Sequence, residues 1–383
     1  MQFLRNIQSV AKYESTLLLR SWFFRVFAVL ALLILGFFNF VAIQEWSVIA
    51  VPANLPYTIL LFLNVGQAVI AIFLSSEFLK RDKKLDTSEV FYVRPLSNAE
   101  YVLGKIWGNL RVFFVLNLMI IALTIVFNYI GLSKGMSVDW ASYLYYFLLI
   151  SIPTMVFILG LAIFLMLTVS NQALTFILLL GYIGLTVFYI KDAFYYLFDY
   201  MAFSLPMFKS TIVGMVDVKT IINHRLIYLF FGLGFTFFTI ALFRRLPNAK
   251  HSHYPWMVVG TVFFILGGYL AFKHTNKFLK NEDYRAQCIE LNNQYVHTPK
   301  IVIDTCVLNV KQLEEGIDVS ATIEGKALEK SAQYTFCLNP GMKIKNITVE
   351  GKEVPFTREE QVLIVDFGRE YKPNEPLSLQ INY

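Results

Sequence analysis

Charge is scarce in this sequence. Only 16% of its 383 residues are Asp, Glu, Lys or Arg, where an ordinary soluble domain carries roughly 25%. A chain so poor in charge cannot cover a soluble surface of this size. Cysteine is scarce too. Cys288, Cys306 and Cys337 all fall in the C-terminal part, with no CxxC and no Cys/His cluster, which excludes the usual structural zinc patterns. Catalytic signatures are missing. The Gly-Lys pairs at Gly104, Gly325 and Gly351 have neither the upstream glycine nor the following Ser/Thr of a phosphate loop. HExxH and GxSxG do not occur, and His251 and His253 stand two apart in a polar stretch. The expectation is a chain that is not an enzyme, binds no metal and no cofactor of its own, and takes its energy from elsewhere.

What is present is apolar. Hydrophobic residues make up 56%, with 36 Phe and 21 Tyr. A helix needs about 20 apolar residues to cross a bilayer. Seven runs qualify as candidate spans: Trp22–Ile43, Leu55–Ser75, Trp107–Tyr129, Tyr143–Val169, Ala173–Ile190, Leu226–Phe243 and Trp256–Phe272. The last three are the shortest. The first begins too late and lacks a small-residue cleavage site, so it is not a signal peptide. The net charge of +6 could point to nucleic acid. The basic residues border the apolar runs instead, which is the positive-inside pattern, so nucleic acid is not expected. With the amino terminus inside, the inner segments hold 12 Lys and Arg and the outer loops 5. Seven spans then put the C-terminal part outside.

Residues 1–21 read as an amphipathic helix lying in the cytoplasmic interface, or as the plain start of the first span. Arg111, one turn into the third span, reads as a boundary residue reaching the headgroups. The outer loop 191–225 is aromatic and broken at Pro206, and two half-penetrating helices over 191–224 are expected there. Residues 273–298 read as a polar, helical connector. From 299 to 383 the texture changes to short Val-, Ile- and Thr-rich runs separated by turns such as Asn339-Pro-Gly341 and Gly351. That predicts an antiparallel β-domain of about six strands. Its last run reaches Tyr383, so a longer domain is expected. Cys306 and Cys337 fall in predicted strands on the outer side, where either a disulfide or buried free thiols would fit. Asn64, Gln67 and Asn117 are polar groups within spans. They either line a translocation path or hydrogen-bond helix to helix.

The segment 77–105 concentrates charge between two apolar runs. Glu77, Arg81-Asp82, then Thr87-Ser-Glu-Val-Phe-Tyr-Val-Arg-Pro-Leu-Ser97, then Tyr101-Val-Leu-Gly-Lys105 resembles type-2 ABC exporter permeases. The likeness covers roughly residues 1–245. It implies a six-span permease core over 22–245, to which a seventh span over 256–272 is added. It also implies that 77–105 forms a coupling helix in a groove of a separate ATP-binding subunit. The contacts would come from Glu77, Arg81, Asp82, Glu89, Arg94, Pro95, Leu96, Ser97, Gly104 and Lys105. ATP would sit on that partner, and a second permease chain, identical or different, would complete the pathway in the bacterial cytoplasmic membrane. The tail from Lys300, with Gly341-Met-Lys-Ile-Lys-Asn-Ile-Thr-Val-Glu-Gly351, resembles the start of the N-terminal β-domain of zinc aminopeptidases, as in permease/peptidase fusions of Bacteroidota. The chain carries no zinc motif, so peptidase activity is not expected. The competing reading is a membrane-anchored β-domain acting as a binding or scaffold protein. The fold class expected is therefore mostly α: a polytopic membrane helix bundle followed by a small antiparallel β-domain.

Overall fold

The structure is a computed structural model that describes residues 2–45, 53–82, 96–131, 139–169, 171–190, 192–210, 214–243, 253–313 and 316–383. The chain is mostly helical with a C-terminal antiparallel sheet region. It divides into two compact units, Met1–Lys277 and Phe278–Tyr383.

The first unit holds α1 (Gln2–Arg20), α2 (Trp22–Glu45), α3 (Leu55–Asp82), α4 (Asn98–Gly131), α5 (Trp140–Val169), α6 (Gln172–Phe188), a short hairpin β1 (Lys209–Ser210) and β2 (Gly214–Met215), α7 (Val218–Leu242), and the first part of α8 (Tyr254–Gln294). Six helices among the described residues, α2 to α5, α7 and α8, are long and apolar enough to cross a membrane. The run expected as the fifth span forms α6, of 17 residues, apolar but shorter. Polar side chains start these helices. Asp139 caps α5 through Ser142, Asn171 caps α6 through the Leu174 N–H, and Asp217 caps α7 through Thr220. Large apolar side chains stay exposed along α2 and α8, among them Leu33, Ile34, Ile265 and Leu266. A water-facing helix would carry polar groups there, whereas lipid accepts these.

The helices alternate in direction between two ends. At one end, called here the braced end, α1, the start of α4 and Phe243 after α7 meet. At the other, the loop end, Asn54, Tyr146 and residues 199–210 meet. Close approach needs small residues. A Cβ on Gly160 of α5 would stand 2.4 Å from the Gly232 carbonyl oxygen of α7, and one on Gly232 2.7 Å from the Phe157 backbone.

Two expectations change here. Residues 192–208 form turns and no α-helix, and the hairpin β1–β2 precedes α7, so the pair of half-penetrating helices is not formed. The reason is local. The Asp199 carboxylate accepts the backbone N–H groups of Phe203, Ser204 and Leu205, closing a turn where a helix would have to run. Second, the expected seventh span and its connector are one unbroken helix, α8, of 41 residues, about 60 Å long at the α-helical rise.

Among the described residues of the second unit eight strands form two antiparallel sheets. The larger runs β3 (Ile301–Leu313), β4 (Gly316–Ala327), β10 (Pro376–Asn382), β6 (Asn346–Val349) and β7 (Lys352–Glu353); the smaller runs β5 (Ser331–Cys337), β9 (Val362–Tyr371) and β8 (Phe356–Glu359). Ile323, Ile347 and Leu379 from one sheet and Tyr334, Leu363 and Val365 from the other share one buried cluster, so the sheets pack face to face. The two strands beyond the expected six, β7 and β8, are two and four residues long. All three cysteines are free. Cys306 in the larger sheet and Cys337 in the smaller are both exposed, so they form neither the disulfide nor the buried thiols expected.

Candidate functional site

The charged segment between α3 and α4 is described at its two ends. Glu77, Arg81 and Asp82 lie on the last turns of α3. Glu89, Arg94 and Pro95 lie outside the described residues. The chain resumes at Leu96, and Ser97 opens α4 with a capping box. The Ser97 N–H donates to Glu100 Oε2 at 2.6 Å, and the Glu100 N–H donates back to Ser97 Oγ at 3.2 Å. The other carboxylate oxygen of Glu100 accepts from Asn6 Nδ2 of α1 at 2.8 Å. Asn98 Nδ2 donates to the Phe243 carbonyl at the end of α7, and the rings of Tyr101 and Phe243 stack with centroids 5.4 Å apart. The first turn of α4 is thus tied to both α1 and α7.

Farther along α4, Gly104 and Gly108 form a groove that α1 fills. A Cβ on Gly104 would meet Val10 Cβ at 2.6 Å, and one on Gly108 the Ala11 carbonyl at 2.7 Å. Lys105 between them is 1% exposed; its ammonium stands 3.6 Å from Glu14 Oε1 and 4.8 Å from the Tyr101 ring centroid. Gly104 and Lys105 therefore take part in the packing of α1 on α4. Arg111 also contacts α1. It donates to Ser15 Oγ at 2.7 Å and to the Ala11 carbonyl at 3.2 Å, which ties α4 to α1. The buried face of α1 is mixed: Ala11 and Leu18 are buried together with Glu14 and Ser15, while Phe3 and Leu4 stay exposed.

In mid-bundle, Asn64, Gln67 and Asn117 are completely buried. Asn117 Nδ2 donates to Gln67 Oε1 at 2.8 Å, Ser151 Oγ to Asn117 Oδ1 at 2.8 Å, and Asn64 Nδ2 to Ser151 Oγ at 3.1 Å. The three candidate path residues form one network joining α3, α4 and α5. That is helix-to-helix hydrogen bonding, supplemented by bonds to the Leu60 and Phe113 carbonyls, and it leaves the buried Asn64 Oδ1 without a partner.

At the loop end sits a group that the sequence reading misplaced. Arg225 was expected in the outer loop 191–225. It lies inside α7 and is 1% exposed. Its guanidinium donates to the carbonyls of Leu149 at 2.6 Å and Tyr200 at 2.9 Å and to Thr154 Oγ1 at 2.7 Å. The Leu149 carbonyl is free because α5 passes through a π-helical turn at Phe147–Ser151 and because Pro153, four residues on, has no N–H. Other side chains grip the loop backbone around it. The Tyr57 hydroxyl donates to the Ala202 and Leu205 carbonyls, the Tyr146 hydroxyl to Met207, and His224 and His274 hold the Tyr196 and Tyr195 carbonyls. Tyr195 and Tyr196 have φ of 59° and 66°, left-handed values that cost energy for such residues and that these clamps maintain. Burial pushes the Asp199 carboxyl up from its usual range, against the pull of its three N–H donors and Arg225.

A proline inside a span with an arginine at the edge of another was the available signal for this cluster. Treating Arg225 as a span boundary hid it. Among the described residues no group of three or more His, Cys, Asp and Glu could hold a metal ion. The chain matches no known family's sequence pattern, and no curated protein matches it.

Proposed function

We propose that this chain is the membrane-spanning permease subunit of an ATP-driven exporter of the type-2 ABC class, driven by a separate ATPase subunit through residues 77–105. In this reading α2 to α8 make seven crossings of a bacterial cytoplasmic membrane with the amino terminus inside, and a second permease chain completes the pathway. The observation that carries it is the bracing of α4 where that segment rejoins the bundle. The capping box, Asn6, Asn98 and the Gly104–Gly108 groove tie its first turns to α1 and α7. A force applied to the segment would therefore move three helices and not one. Such a brace suits a chain that receives mechanical work from outside itself. Its rim charges would set partner choice and association rate.

The test is co-purification. The tagged chain is extracted in mild detergent and its bound proteins are identified. A stoichiometric ATP-binding subunit is expected, lost when 81–96 is replaced by a Gly/Ser loop. A well-folded chain that brings down no ATPase, or one whose ATPase stays after the replacement, overturns the reading. The second reading, a membrane-anchored β-domain that binds an outer partner, draws on the exposed apolar strand β3.

A further inference from the structure

The sandwich of the second unit is unbalanced. Its larger sheet has five strands and its smaller sheet three. The core between them takes residues from β4, β10 and β6. β3 lies at the edge of the larger sheet, and from Val302 to Leu313 every residue is exposed. Yet β3 is apolar on both faces. Cys306, Leu308 and Val310 pair with Ile323, Ala321 and Val319, which are buried on β4, so they face inward. Leu308 and Val310 are nonetheless 54% and 58% exposed. Val302, Val307 and Leu313 stand on the outer face, each about half exposed. Strand edges of this length are usually blunted by several charges or by proline. β3 carries only Asp304, Lys311 and one bulge, at Asp304.

The two charges say what fits this edge. In an antiparallel pairing of β3 with the β3 of a second copy, a two-fold axis at Leu308 puts Cys306 opposite the partner's Val310, Val307 opposite the partner's Asn309, and Thr305 opposite the partner's Lys311. Asp304 is the extra residue of the bulge, so the next pairs are Ile303 with the partner's Gln312 and Val302 with the partner's Leu313. Inward residues meet inward residues at every step. Asp304 comes beside the partner's Lys311, and symmetry makes that contact twice. Moving the axis one residue either way separates the charges. We infer that β3 is a dimerisation edge, through which two copies of this chain join their five-stranded sheets into one. The inference does not depend on the transport reading.

The test uses the full chain in detergent with Cys288, Cys306 and Cys337 changed to Ser. Directly opposite Cα atoms in an antiparallel ladder lie about 4.5–5.5 Å apart, within reach of a disulfide. Leu308→Cys alone is expected to give a covalent dimer on mild oxidation. Val310→Cys alone is expected to give none, and Val310→Cys with Cys306 restored to give one. Asp304→Lys or Lys311→Asp should abolish the Leu308→Cys dimer, and the two together should restore it. A monodisperse Leu308→Cys chain that stays monomeric overturns the inference. So does equal cross-linking at 308 and 310, or β3 protected by a different co-purifying protein.

Discussion

Among its described residues the first unit buries two cations, one at each end of its helices, and holds them in different ways. At the braced end Lys105 faces a carboxylate, Glu14, and an aromatic ring. At the loop end the hydrogen-bond partners of Arg225 are neutral, two backbone carbonyls and a threonine hydroxyl within 3 Å, and the Asp199 carboxylate acts on it only through space. The difference follows from the side chains. An ammonium is a compact, strongly hydrated charge and is expensive to bury without an opposite charge. A guanidinium spreads its charge over a planar fork of five donors and can be satisfied by carbonyls, provided that carbonyls are free. Helices normally offer none. The π-turn and Pro153 make one available at Leu149, and the turns around Tyr200 supply another. One end is held by charge pairing between helices, the other by a helix side chain reaching into irregular backbone.

Removing Arg225 should have the largest effect. Arg225→Met keeps the bulk but takes the guanidinium donors from the Leu149 carbonyl and the Thr154 hydroxyl, and leaves the Tyr200 carbonyl only the Thr154 hydroxyl. Hydrogen bonds to charged groups contribute about 1.5–3 kcal/mol each in mutational series. The expected loss is at least ~3 kcal/mol, read as a large fall in the thermal midpoint in detergent. Arg225→Lys should recover only a fraction, because one ammonium cannot reach acceptors on two elements. Pro153→Ala in the Met background should recover part of the loss, since a backbone N–H returns to Leu149. A Met variant as stable as the parent would show that the loop end is not held in this way.

The braced end should respond to a different pattern. Glu14→Gln and Lys105→Gln each leave one buried charge facing a neutral group, at a cost of about 1–3 kcal/mol. The double change leaves two amides that can bond to each other, so it should cost less than the two singles combined, with a coupling of about 0.5–3 kcal/mol. The readout is thermal stability together with protease access to α1. Additive losses would mean that Lys105 and Glu14 are held by other neighbours and that the contrast between the ends is weaker than drawn here.

How far the sequence revealed these ends also differs. Apolar length placed α2 and α5 within a few residues and found α3, α4 and α7, since burying a helix in lipid needs little beyond composition and length, but it missed the charged or polar turns at the end of α3 and the starts of α4 and α7. The amphipathic spacing of residues 1–20 exposed α1, and alternating Val, Ile and Thr exposed the longer strands. What failed depended on tertiary acceptors. Whether Arg225 ends a helix or sits inside one turns on the Leu149 and Tyr200 carbonyls, 76 and 25 residues away. Whether 192–208 forms helices turns on the Asp199 carboxylate taking three N–H groups. At the braced end Gly104 and Lys105 were legible as a motif, but their place against Val10 and Glu14 was not. The strands β7 and β8 are too short to carry a period.

The smallest expected effect separates the ends by pH. At the loop end two carboxylates hold irregular backbone to helices. Asp139 accepts from Lys209 and Ser142, and Asp217 from Lys277 and Thr220. Partial burial alone would raise the Asp139 carboxyl, but the Lys209 ammonium and Ser142 outweigh it and hold it below its ordinary value. The Lys277 bond, then the Thr220 hydroxyl, hold Asp217 below its own. A carboxyl depressed in the folded chain contributes stability that is complete above its unfolded pKa, about 3.9, and is lost as pH falls through the lower folded value. Hydrogen exchange across Lys209–Ser210 and the first turn of α7 should therefore be flat from neutral pH to about 5 and rise below about 4. Partly exposed pairs contribute about 0.2–1 kcal/mol each, so the rise should be a few-fold. Asp139→Asn with Asp217→Asn should show the faster exchange at every pH and no acid step. An acid step that survives in that variant would place the titration elsewhere and leave the loop end held by Arg225, Tyr57 and Tyr146 alone.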